Sequence, residues 1–187
     1  MAAQAVRDAI DHAQLTHPIL VGHSMGGPVA LTALRRANPD EFAGFMAIAT
    51  SAYWVRPRHQ VMVAAAPYLF APKSPIVTGA MRADTKRYPH RAAHIEQEYA
   101  MRPTKRVLAA TTSELRRFDA RRWENLTIPH GLWVITAEDR VVPPNDQRAS
   151  AEHFGIPTVE IASDHPAATL SPIQIVEATE QFSRTWT

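Results

Sequence analysis

A serine with a glycine two positions away on each side is the first group in this chain whose setting implies chemistry. The run Gly22-His23-Ser24-Met25-Gly26 matches G-x-S-x-G and lies between a short apolar run and a helical pattern. A serine hydroxyl is a weak nucleophile at neutral pH. It needs a base within hydrogen-bond reach, and the base needs an acid that orients it. Both follow downstream, each after an apolar run: Asp139 in AEDRVVP and His165 in SDHPAATLSP. The implied chemistry is acyl transfer. Ser24 attacks, His165 moves the proton, Asp139 fixes the imidazole, and the Met25 N–H at the start of a helix receives the developing oxyanion.

Each residue taken singly has a plainer reading. Ser24 could sit in an ordinary strand–helix turn, Asp139 in a solvated turn, and His165 in a loop. Their order along the chain and their places at strand ends favour the joint reading. Glu138 is the rival to Asp139, because adjacent side chains point apart and one of them can face the histidine. Among nine histidines, His165 alone follows a strand in the position a base requires. His12, His17, His59, His90, His94, His130 and His153 read as surface or insertion residues, His23 as packing beside the nucleophile, and Asp164 as exposed. His90 and His94 are four apart, but the glutamate of a zinc helix is missing. Ser24 also stands where a dinucleotide loop needs its second glycine, and no Gly-Lys-Ser/Thr follows.

The elements that must position these groups alternate. Residues 3–14 repeat apolar positions at helical spacing, and 18–22 form a short apolar run that reads as a strand buried on both faces. A helix follows Ser24, with Pro28 in its first turn and Arg35 and Arg36 in its last. Further buried strands are expected at 45–50, 132–136 and 158–162, with helices at 145–154, ended by Gly155, and at 172–182. Alternating strands and helices predict an α/β fold with a mainly parallel sheet of about four strands. Residues 53–129 break the pattern. Prolines 57, 67, 72, 75, 89 and 103 divide them, and helices are expected at 90–101 and 104–118. They read as a helical lid over the end of a core made of 1–52 and 130–187, lined by Val61, Met62, Val63, Tyr68, Leu69 and Phe70.

The composition fits one globular domain: 187 residues, 45% hydrophobic and 20% charged. The absence of cysteine excludes disulfide and thiolate chemistry. No apolar run reaches bilayer-spanning length and no secretory pattern opens the chain, so stable membrane insertion is not expected and a cytoplasmic location is. Net charge is +2, yet residues 53–129 hold 14 Lys/Arg against 6 Asp/Glu, and the remainder 6 against 12. The basic residues are scattered between acidic ones. They read as solvated helix faces, and nucleic-acid binding has no motif behind it.

GHSMGG, AEDRVVP and SDHPAATLSP together resemble the nucleophile, acid and histidine segments of the α/β-hydrolase superfamily, from about Leu20 to the C-terminus with the insertion unmatched. The resemblance implies a serine hydrolase of carboxylic esters or related acyl bonds, acting on a small molecule without metal or organic cofactor. It carries over Ser24, Asp139, His165 and the Met25 N–H. Thr136 departs from the family's usual glycine before the acid loop, and Pro166 after the histidine is also unusual. The family normally places about four strands and an oxyanion loop before the strand that leads into the nucleophile turn, where this chain has one helix. A truncated form is therefore expected, without a second oxyanion donor and with Ile19, Leu20 and Val21 on an exposed apolar sheet edge that invites self-association. The alternative is a catalytically inactive fragment or binding scaffold that retains these residues.

Overall fold

A computed structural model describes residues 2–38, 40–101, 103–124, 126–128 and 130–184. The chain divides into two compact units, one of residues 1–53 with 119–187 and the other of residues 54–118.

The first unit is built on four strands, β1 (Ile19–His23), β2 (Gly44–Ile48), β3 (His130–Thr136) and β4 (Thr158–Ile161), in spatial order β1-β2-β3-β4. All three pairings are parallel, with His23 opposite Ile48, Ile48 opposite Val134, and Thr136 opposite Ile161. Helices α1 (Ala2–His12), α2 (Gly26–Arg35), α7 (Pro144–Phe154), α8 (Ala167–Leu170) and α9 (Pro172–Ser183) belong to this unit. This is the α/β arrangement that the alternating pattern requires. Gly155, with φ +63°, ends α7 in the left-handed conformation that glycine adopts without penalty.

One core cluster lies between β2, β3, β4 and the last helix. Met46, Ile48, Leu132, Val134 and Ile161 pack with Ala178 and Phe182 of α9. β2 is buried at every position, as a central parallel strand should be. β1 lies at the sheet edge and shows the expected exposed apolar edge at Ile19 and Val21 but not at Leu20, so it is not buried on both faces. β4 is more exposed than a buried strand. On β1, Leu20 is 7% exposed but Val21 is 57% exposed and Ile19 37%, and in β4 only Ile161 is buried. A short strand looks the same at the edge of a sheet as at its centre, so the residue pattern alone overstated the burial of β4.

The second unit is helical: α3 (Pro57–Leu69), α4 (Pro75–Arg87), α5 (Ala92–Ala100) and α6 (Lys105–Leu115). Its core includes Val63, Val77, Ile95, Leu108 and Leu115. Pro57 and Pro75 begin helices, and the side chains of Ser74 and Thr104 cap α4 and α6. Pro67 breaks the expected pattern by lying inside α3, near enough to its end that few turns are disturbed. Two of the expected lining residues, Val61 and Tyr68, are exposed. The Lys105 ammonium stacks 4.0 Å from the centre of the Tyr68 ring. His59, read as a surface or insertion residue, lies in this unit and is buried. Residues 119–124, counted with the insertion on sequence, belong to the first unit, where Asp119 bridges antiparallel to Tyr53. Pro129, the last residue of the expected insertion, lies outside the described residues.

Candidate active site

Ser24 sits in the turn between β1 and α2 with φ +51°, a conformation that costs a non-glycine residue roughly 1 kcal/mol or more. The backbone is held there from both sides. The Ser24 N–H donates to Ile48 O at 2.9 Å, and Ser24 O accepts from the Thr50 hydroxyl at 2.6 Å and from Gly27 N–H at 3.0 Å. A Cβ on Gly22 would come within 2.8 Å of Gly26 O and of Gly27 Cα, so only glycine fits. A Cβ on Gly26, the second glycine of the motif, would meet nothing within 4 Å. The steric demand falls instead on Gly27, whose Cβ would meet Thr50 Oγ1 at 2.3 Å. Met25 forms the N-cap of α2, which places its N–H among the amino-terminal groups that a helix leaves unpaired within itself.

The parallel pairing of β3 and β4 continues into the loops that follow. Ala137 N–H donates to Ile161 O at 3.0 Å and Glu138 N–H to Ser163 O at 3.0 Å. This brings the Asp139 and His165 loops together at the carboxyl ends of the strands. Three loops then meet. Ser24 Oγ lies 2.7 Å from His165 Nε2, and His165 Nδ1 lies 3.0 Å from Asp139 Oδ2. Glu138 is exposed, whereas the Asp139 side chain is fully buried and that of His165 is 17% exposed. Of the two adjacent carboxylates, Asp139 is the one that reaches the imidazole.

Asp139 is satisfied throughout. Its Oδ1 accepts the N–H groups of Val141 and Val142, each at 2.8 Å. Its Oδ2 accepts from the Thr136 hydroxyl at 2.7 Å and from Gln147 Nε2 at 3.2 Å, besides the imidazole. An acceptor surrounded by donors is an ionised carboxylate, so Nδ1 of His165 carries the proton. Nε2 is then left as an acceptor for the Ser24 hydroxyl.

Several neighbours were not legible as site residues. His23 Nε2 lies 2.8 Å from His165 O, so it fixes the histidine loop as well as packing beside the serine. Asp164, expected to be exposed, is a part-buried ion-pair partner of Arg140 and accepts the His165 N–H at 2.8 Å. Burial alone pushes the Asp164 carboxyl up, but the Arg140 hydrogen bond and the N–H groups of His165 and Arg140 outweigh it, and its pKa lies below the ordinary value.

An open cavity lined by His17, Asp40, Phe42, Ala43, Ile128 and His130 lies at the opposite, amino ends of the strands. Ligands of open α/β sheets gather at the carboxyl ends, where Ser24 lies. Among the described residues, no group of three or more His, Asp or Glu could hold a metal ion. No helix among them is long and apolar enough to cross a membrane.

The alpha/beta hydrolase family profile matches residues 1–178. No curated protein matches the chain. Solved structures do. An esterase from Exiguobacterium antarcticum superposes with a TM-score of 0.78 at 15% identity, over 97% of this chain and 72% of its own. The enol-lactonase of Burkholderia xenovorans LB400 gives 0.76 at 18% identity, over 97% and 71%. A thermophilic esterase of Thermogutta terrifontis gives 0.74 at 21% identity, over 98% and 71%. At such identities the likeness is one of fold.

Proposed function

The chain belongs to the alpha/beta hydrolase family, and we propose that it is a serine hydrolase of carboxylic esters or related acyl bonds, acting on a small molecule through Ser24, His165 and Asp139. The observation that carries this reading is the continuous contact from Ser24 Oγ to His165 Nε2 at 2.7 Å and from His165 Nδ1 to Asp139 Oδ2 at 3.0 Å.

The steps follow from the polarity of that series. His165 Nε2 takes the hydroxyl proton as Ser24 Oγ bonds to the carbonyl carbon. The carbonyl oxygen becomes an oxyanion facing the Met25 N–H and the positive end of α2. Asp139 stays ionised and steadies the imidazolium. Collapse of the tetrahedral adduct breaks the bond to the leaving alkoxide, which takes the proton back from His165. Water repeats the sequence on the acyl-serine, releasing the acid and restoring Ser24. The left-handed backbone at Ser24 supports the reading, because strain of this kind is kept where it serves a site.

The test is labelling with a fluorophosphonate probe, beside hydrolysis of a p-nitrophenyl ester. Labelling of the protein but not of Ser24→Ala, with ester turnover lost in the variant, is the expected outcome. A folded chain that takes no label, or a Ser24→Ala variant that labels equally, overturns the proposal and favours an inactive scaffold.

A further inference from the structure

Thr136 and Gln147 form a buried pair whose hydrogen bonds can run in one direction only. The Thr136 backbone N–H donates to Gln147 Oε1 at 3.1 Å, and Gln147 Nε2 donates to Val142 O at 2.7 Å. A backbone N–H cannot accept and a carbonyl cannot donate, so both ends of the amide are assigned. The second Nε2 proton then points to Thr136 Oγ1 at 2.9 Å, with Asp139 Oδ2 at 3.2 Å beside it. With its oxygen accepting from the amide, the Thr136 hydroxyl turns its own proton to Asp139 Oδ2 at 2.7 Å. Both residues are fully buried, so water does not scramble this order.

Resting on the serine-hydrolase reading, we propose that Thr136 and Gln147 are positioning residues that set the direction of proton transfer at Ser24. They fill the carboxylate of Asp139 with neutral donors, which keeps it ionised and fixes its Oδ2 toward His165. Nδ1 of the imidazole must then hold a proton and Nε2 must be bare. They also temper the base, because each neutral donor draws charge from the carboxylate and weakens its hold on the imidazolium. Among the described residues, the other charged or titratable groups facing His165 are Asp164, which accepts its N–H and is paired with Arg140, and His23, whose ring centre lies 5.4 Å away. None of these touches Asp139 Oδ2 as Thr136 and Gln147 do.

The experiment is the rate of fluorophosphonate labelling against pH for the protein, Thr136→Val and Thr136→Ser, with thermal unfolding of each. Valine keeps the shape and removes the hydroxyl, whereas serine keeps the hydroxyl. Thr136→Val is expected to move the midpoint of the rate profile to higher pH and to lower the limiting rate about tenfold, the loss of one good hydrogen bond. Thr136→Ser is expected to restore the original midpoint. A folded Thr136→Val with an unchanged midpoint and limiting rate overturns the positioning role while leaving the serine-hydrolase reading intact. Failure of the unaltered protein to label at Ser24 overturns that reading, and this proposal with it. Should Thr136→Val not fold, nitrogen-15 NMR of histidine-labelled protein decides: a protonated Nδ1 and bare Nε2 on His165 are expected, and the reverse tautomer overturns the proposal.

Discussion

His23 Nε2 meets the backbone carbonyl of His165 at 2.8 Å. A carbonyl can only accept, so His23 donates, and its ring ties the strand before the nucleophile to the loop that carries the base. His23→Leu keeps the bulk and removes the donor. It is expected to slow ester hydrolysis about fivefold to tenfold, because a carbonyl loses a part-buried partner and the histidine loop loosens. Steady-state kinetics on a p-nitrophenyl ester, with circular dichroism to establish folding, check this. An unchanged rate in a folded variant would show that the contact is not needed to hold His165.

The Arg140–Asp164 pair gives part of the stability of the same loop a pH dependence. The carboxyl of Asp164 is held below its ordinary value in the folded chain. Its contribution is therefore complete above the unfolded value of about 3.9 and is lost as pH falls through the lower, folded value. Asp164→Asn removes the ionisation. The protein and the variant should differ most in urea midpoint near neutrality, with the difference closing below about pH 4. A difference that stays constant from neutral to acid pH would show that the carboxylate's charge contributes nothing.

Local patterns made much of this molecule legible, and contacts between distant segments account for what they missed. A glycine-flanked serine between an apolar run and a helix is a local signal, as are an acid and a histidine after later strands, and the four strands follow from apolar runs. The Thr136–Gln147 pair spans a strand, a loop and a helix over 11 positions, and no spacing rule links such residues. Thr136 did stand out against the family resemblance, but its partner did not. The Asp164–Arg140 pair joins loops 24 positions apart, so Asp164 looked like a bare loop carboxylate. Burial of β4 was misjudged because a residue pattern records how apolar a strand is and not how many neighbours it has.

The glycines on either side of Ser24 are not equivalent, although the motif treats them alike. Gly22→Ala would drive a Cβ to 2.8 Å from the backbone of Gly26 and Gly27. Backbone cannot rotate away as a side chain can, so this variant is expected to lose at least about 1–3 kcal/mol. Gly26→Ala meets nothing within 4 Å and begins a helix, where alanine restricts the unfolded chain more than glycine does. It is expected to match the protein or gain up to about 1 kcal/mol. Urea unfolding of the two variants side by side provides the comparison, and equal losses would show that the turn relaxes around either methyl group.

Val21 carries the remaining prediction. It lies on β1, an edge strand, and is 57% exposed between Leu20, which is buried, and Gly22. An apolar edge whose outer peptide groups face away from the sheet is a template for another strand, and natural edges are commonly guarded by a lysine. Val21→Lys should leave folding intact, since the side chain already points to solvent, and should lower the associated fraction at high protein concentration. Sedimentation velocity across a dilution series measures that fraction, and thermal unfolding monitors the fold. If the variant and the unaltered protein sediment alike at every concentration, β1 is not the surface through which copies of this chain associate.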